Sequence, residues 1–293
     1  MRKKLLFAAA TGLLATLTTL ATLAHDFWLE APRFRLQPGQ TVAVRPLVGE
    51  NFHGEPWSNK ASKILRFVRY GPASKDSTDL TPKNLTETDT FRTVFPFARP
   101  GTHVVLLRST NSFIELPADK FTAYLREEGL DYALTLRQER EQQALPGRET
   151  YRRCAKALVQ VGEAAAIPAI TDSACYHIYG LPLELVPEQN PYRLPAGKAL
   201  TVRVLRNGRP VSGATVQVWQ RQPNGLPTSH FTTRANQNGR LLLRLSGPGP
   251  YLLATVGIAE APANLCDRAD WQSTWASLTF AGPAALRCAA TKH

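Results

Sequence analysis

The sequence lacks the short motifs that announce common enzymes. It has no Gly-x-Ser-x-Gly elbow, no His-Glu-x-x-His pattern and no glycine-rich phosphate loop opening a helix. It has no Cys-x-x-Cys pair and no cysteine before Cys154, which argues against a redox motif or a thiolate zinc site. Past the first two dozen residues, no segment approaches the roughly 18 apolar residues of a membrane span. The chain is also short of acid: 35 Lys and Arg against 23 Asp and Glu give a formal charge of +12. The basic residues are scattered, with Arg152-Arg153 the nearest thing to a cluster and no aromatic-interleaved stripe, so nucleic acid is not expected as a partner. A basic exported protein suits anionic envelope surfaces.

What is present begins with a leader. Arg2, Lys3 and Lys4 precede an Ala/Leu/Thr-rich apolar stretch, and Thr22-Leu23-Ala24 offers small residues before a cut. Residues 1–24 therefore read as a secretory signal, with an uncleaved anchor as the other reading, and the mature chain is expected to be soluble and periplasmic, carried across the inner membrane. Cleavage lowers the formal charge from +12 to +9 and leaves His25 with a free amine beside its imidazole. The cysteines are Cys154, Cys175, Cys266 and Cys288, and an even set in an exported chain reads as disulfides. Three connectivities are open; local pairing, Cys154 with Cys175 and Cys266 with Cys288, closes loops of similar length and is the expectation.

Two stretches align without a gap, FRLQPGQTVAVRPL (34–47) and YRLPAGKALTVRVL (192–205). A second pair follows in the same order, PGTHVVLL (100–107) and PGPYLLAT (248–255). Each reads as a turn opening an alternating strand. Asn207-Gly208 and Asn238-Gly239 signal hairpins. The expectation is a mainly β protein of two tandem β-sandwich domains, 25–162 and 183–293, with a linker at 163–182. A helical insertion at about 118–162 belongs to the first domain: one helix over 118–129 ending at Gly129, a second over 131–143, and a third over 149–162 with Tyr151, Cys154, Ala155, Leu158 and Val159 on one stripe. These helices should cover the first sandwich. The later domain, with G-x-P-V-x-G-A-x-V and P-G-x-Y, resembles transthyretin-like or collagen-binding-B-type sandwiches.

The blocks AHDFWLE, FIELPADKFTAYLREEGL (113–130), GRETYRRCAKALVQVG (147–162), LPLELVPEQNPYRL (181–194) and DWQSTWASLTF (270–280) resemble domain-of-unknown-function family 4198 across nearly all of the mature chain. That resemblance implies an exported, β-rich accessory of nickel uptake that binds a transition metal beside a membrane metal transporter. From the residues, a mature N-terminal His25 would chelate Ni²⁺ or Cu²⁺ through its amine and ring, with His53 in GENFHGEP and His103 as completing ligands. No organic cofactor and no catalytic residue is expected. His53 also reads as a plain loop histidine and His103 as a satisfied strand histidine. Where the family's pattern has histidines, this chain has Glu50 or Asn51 and Gly257.

The remaining candidates are weaker. Asp26 and Glu30 could orient His25; His177 reads as a packed linker residue, His293 as a free tail, and Glu115 as structural. Trp28, Trp271 and Trp275 are core aromatics by default and a glycan-stacking surface otherwise. The alternative function is a non-catalytic envelope interaction module for a protein or a glycan, without metal. An N-terminal histidine also resembles the copper site of oxidative polysaccharide-cleaving enzymes, a reading the helical insertion argues against.

Overall fold

Residues 147–161 form a strand, although their spacing reads as a helix. Tyr151, Cys154, Ala155, Leu158 and Val159 do fit a helical stripe. But Cys154 to Val161 are buried without a break, the signature of a strand covered on both faces. The computed structural model describes residues 26–57, 61–82, 93–222, 226 and 228–284. The leader, His25, Cys288 and His293 lie outside them.

In the first half the strands are β1 (Asp26–Glu30), β2 (Arg35–Leu36), β3 (Gln40–Glu50), β4 (His53–Pro56), β5 (Ile64–Tyr70), β6 (Ser77–Asp79), β7 (Thr93–Phe97), β8 (Gly101–Ser109), β9 (Ser112–Leu116) and β10 (Gly147–Val161). Between β9 and β10 come α1 (Ala118–Glu127) and α2 (Asp131–Glu139). The second half holds β11 (Leu183–Pro187), β12 (Ala199–Arg206), β13 (Arg209–Pro210), β14 (Thr215–Gln220), β15 (Ser229–Arg234), β16 (Arg240–Arg244), β17 (Pro250–Glu260) and β18 (Trp271–Ala281). None of the described helices is long and apolar enough to cross a membrane.

The two halves repeat one topology. β3 pairs with β1, β4 and β7, and β12 pairs with β11, β13 and β16. β8 runs beside β5, which carries β6; β17 runs beside β14, which carries β15. The repeated turns also match: Gly39 and Gly197 have φ of 85° and 79°, and Gly101 and Gly249 have 128° and 109°. Asn207-Gly208 makes the expected tight turn between β12 and β13. Asn238-Gly239 does not close a hairpin, because β15 belongs to one sheet and β16 to another.

The halves join through their last strands. β10 and β18 pair in parallel from Glu149↔Trp271 to Ala157↔Thr279, giving one ten-stranded sheet whose main path is β15-β14-β17-β18-β10-β8-β5-β6, with β2 and β9 also paired to β10. Alternation then sends side chains to two opposite faces. Val104, Leu106, Cys154 and Leu158 join Val218, Leu253 and Leu278 beneath the small sheet of β11, β12 and β16. Val105, Leu107, Ala155 and Val159 point the other way, against Phe27, Leu29, Val44 and Phe97 of the first half's small sheet. The result is mainly β, with small sheets on the two faces of a shared large one.

The helices lie elsewhere than expected. Phe121, Tyr124 and Leu125 pack on Val256, Ile258, Trp271 and Trp275, so they cover strands of the second half, not the first sandwich. α2 stops at Glu139, short of residue 143. Residues 163–182 carry short 3-10 turns at Ala164–Ala166, Ala169–Thr171 and Ala174–Tyr176. Buried Asp172 ties this segment down, accepting from Thr102 N at 2.6 Å, Asn190 Nδ2 at 3.1 Å and Arg193 Nη2 at 3.1 Å.

No disulfide forms among the described residues. Cys154 and Cys175 are both buried in one apolar cluster as free thiols, pushed up to about 11 and about 12 by burial. Cys266 is exposed and free. Spacing along the chain says nothing about whether two Cβ atoms face each other, which a disulfide requires.

At the seam, Lys156 Nζ donates to Glu184 Oε1 at 2.8 Å, with 2% and 1% of the two side chains exposed. Glu184 also accepts from the backbone N–H groups of Tyr179 and Leu181. Removing one partner strands a buried charge. Lys156→Met should therefore cost about 3–5 kcal/mol in urea unfolding, and Lys156→Met with Glu184→Gln should recover most of it. A loss below about 0.5 kcal/mol for the single variant would show the pair to be solvated.

Candidate functional site

The expected metal ligands do not come together. His53 opens β4, exposed, with Glu50 as its register partner. Its loop is pinned by Arg221, whose Nη2 donates to Phe52 O at 2.6 Å and whose Nη1 donates to Glu30 Oε1 at 2.7 Å. Glu30 also accepts from Trp28 Nε1, so it serves packing. His103 is fully buried between β8 and the first half's core, edge-on to Phe97. Its Nε2 lies 2.8 Å from Arg99 O, and burial lowers its pKa to about 4. His103 is thus a neutral core residue with one ring nitrogen already used. Among the described residues no three His, Cys, Asp or Glu side chains are grouped to hold a metal. This overturns the nickel and metal-binding expectation; His25 itself lies outside the described residues.

The other candidates form no shared site among the described residues. Trp28, Trp271 and Trp275 are buried and cannot present a sugar platform. His177 is exposed and packs edge-on to Tyr179. Glu115 is an exposed residue of β9.

The feature that stands out was not singled out in the sequence. A cavity of about 1070 Å³ opens along the free edge of β17. β14 pairs with β17 only from Gln220↔Tyr251 to Gln217↔Ala254, whereas β18 accompanies β17 out to Glu260. In the first half, β5 follows β8 as far as Ser109. Arg221 N donates to Pro250 O on the β14 side, while Ala261 N turns to Asp270 O on the β18 side. By alternation, the backbone groups of Val256 and Ile258 face the cavity.

Two elements rim this edge. On one side the α1–α2 turn is held over β14: Gln217 Nε2 donates to Glu128 Oε2 at 3.2 Å, and Arg234 meets Asp131 at 3.5 Å. On the other side stands the β12–β13 turn. Arg206 leans in from it, with Nη1 3.5 Å from Ile258 O. A readable signal existed here: Leu200, Val202 and Val204 alternate inward along β12, and Arg206 takes the next inward position.

The acidic corner beside the cavity is held partly neutral. Burial raises Glu128 from 4.5 to about 7, with Gln217 opposing and Glu127 adding a little. Asp26 is raised well above its ordinary value by burial, then by Glu128 and Glu50.

A raised folded-state pKa stabilises most fully below the unfolded value and is lost as pH climbs through the folded one. Glu128 should therefore cost the protein about 3 kcal/mol between pH 4.5 and 7. Glu128→Gln should remove that loss: its stability advantage over the parent should be near zero at pH 4.5 and rise by pH 8. A flat difference across this range in guanidinium melts would contradict the assignment.

Comparison with known proteins adds little beyond kinship. No curated protein matches the chain. Among solved structures, one described as "Three N-terminal domains of the bacteriophage RB49 Highly Immunogenic Outer Capsid protein (Hoc)" is 9% identical, with 87% of this chain and 59% of that chain covered and a TM-score of 0.19. The chain thus spans under two thirds of that structure's length. Another, "Cytokine receptor complex - Crystal form 1A", is 12% identical over 88% of this chain and 98% of that one, with a TM-score of 0.20. Neither likeness, at such scores, supports a shared fold. Residues 22–259 match the family described as Domain of unknown function (DUF4198), and the protein belongs to that family.

Proposed function

We propose that the protein is an exported, non-catalytic envelope module that binds an extended segment of a partner protein along the edge of β17. The observation that carries this reading is the strand edge left without a partner strand past Ala254 among the described residues, facing a cavity of about 1070 Å³. Val256 and the Ile258 N–H offer backbone groups at the spacing of an antiparallel ladder, and the long Arg206 contact to Ile258 O is one a visiting strand can displace. Exposed edges elsewhere tend to be blunted. Here β14 ends early and the α1–α2 turn and the β12–β13 turn form walls, which limits approach to one narrow strand. Burial of the tryptophans favours protein over glycan. The leader pattern in residues 1–24 supports export.

A displayed library of extended peptides tests this. Peptides selected on the full chain should slow amide hydrogen exchange at Ile258, and Ile258→Pro, which removes that donor without touching the β18 ladder, should weaken them by about tenfold or more. Selected peptides that leave the Ile258 amide unprotected would refute edge binding.

A further inference from the structure

Three arginines sit where alternation calls for apolar residues. Arg108 follows Val104 and Leu106 along β8; Arg152 precedes Cys154 and Leu158 on β10; Arg206 follows Val202 and Val204 on β12. All three therefore point into the space between the large sheet and the second half's small sheet. Lys156 occupies the same face and has Glu184 as its counter-charge. Among the described residues, none of the three arginines is in an ion pair.

Register brings two of them to one point. Gly257 and Thr274 are partners across β17 and β18, and Thr274 and Arg152 are partners across β18 and β10. Arg152 leans toward this row, its Nε donating to Thr274 Oγ1 at 3.0 Å. Arg206 comes down onto the same row from above. A Cβ on Gly257 would stand 2.2 Å from its Nη2, so the missing side chain is what admits the guanidinium. Arg108 lies one strand further, half-buried, with its Nε buried and unpartnered. Burial pushes the Arg152 guanidinium below its ordinary value, and Arg108 and Arg206 push it the same way. Like charges held this close in a half-buried setting need an opposite one. On the other face, α1 and α2 cover Val256, Ile258, Trp271 and Trp275. On this face the cavity reaches Arg206 and Gly257, the register partner of Thr274.

We propose that Arg108, Arg152 and Arg206, with Thr274, form a binding site for an oxyanion group, a phosphate or a carboxylate. Forked guanidinium donors suit both groups, and the Thr274 hydroxyl supplies one more hydrogen-bonding group. The site does not depend on strand addition at β17. An anion entering through the cavity would lie between Arg152 and the Arg206 guanidinium that rests on Gly257.

Calorimetric titration of the full chain at constant ionic strength tests it, using inorganic phosphate in one arm and succinate in the other. Saturable binding of either is expected. Arg152→Gln and Arg206→Gln should each weaken it by about tenfold or more, and Arg152→Lys, which keeps charge but loses the fork, by less. Preference for phosphate assigns a phosphate ester, and preference for succinate a carboxylate. The variants should also melt no lower than the parent in chloride, since each removes like-charge repulsion. Absence of saturable binding in both arms, or equal affinity in parent and variants, overturns the proposal.

Discussion

The parallel pairing of β10 with β18 sets the rest of the molecule. Parallel neighbours cannot be joined by a tight turn, and here the connection between them is the whole second half of the described chain. Because the two strands are the last of two like halves, their pairing relates the halves by a rotation about the strand direction, which exchanges the faces of the sheet. That is why Leu158 faces the small sheet of the second half while Val159 faces that of the first. A strand so placed must be covered on both faces, and β10 is buried without a break from Cys154 to Val161.

The same relation explains where the openings fall. The connection between β9 and β10 carries α1 and α2, which lie on one face over the second half. The connection between β17 and β18 is a short turn around Ala263–Leu265, so among the described residues no equivalent helix pair lies over Arg108 and Arg152 on the other face. β14 stops short where β5 continues, and the edge of β17 stays open. Both features come from small differences in length between two copies of one plan, without any special motif.

This accounts for what could be read in advance. The duplicated turns at Gly39 and Gly197 and at Gly101 and Gly249 were legible because a positive φ leaves a residue signature. The helix ending at Gly129 was legible for the same reason. β10 was not, since a continuous buried strand and a helix share apolar residues at three and four apart. The disulfides failed because separation in sequence does not fix the direction of a side chain. The arginines were visible as breaks in alternation, but their convergence depends on registers between strands as far apart as β10, β17 and β18. The histidines misled in the opposite way. His103 is an unusual residue in an apolar strand, and the structure uses it for packing.

The central claim is that one shared sheet unites the two halves, and native-state hydrogen exchange measures it most directly. The amides of Ala155 and Ala157 in β10 and of Ser277 and Leu278 in β18 should open with one common free energy equal to that of global unfolding. Separate opening energies for β10 and β18, one well below the other, would mean two independent sandwiches in contact and would contradict the account.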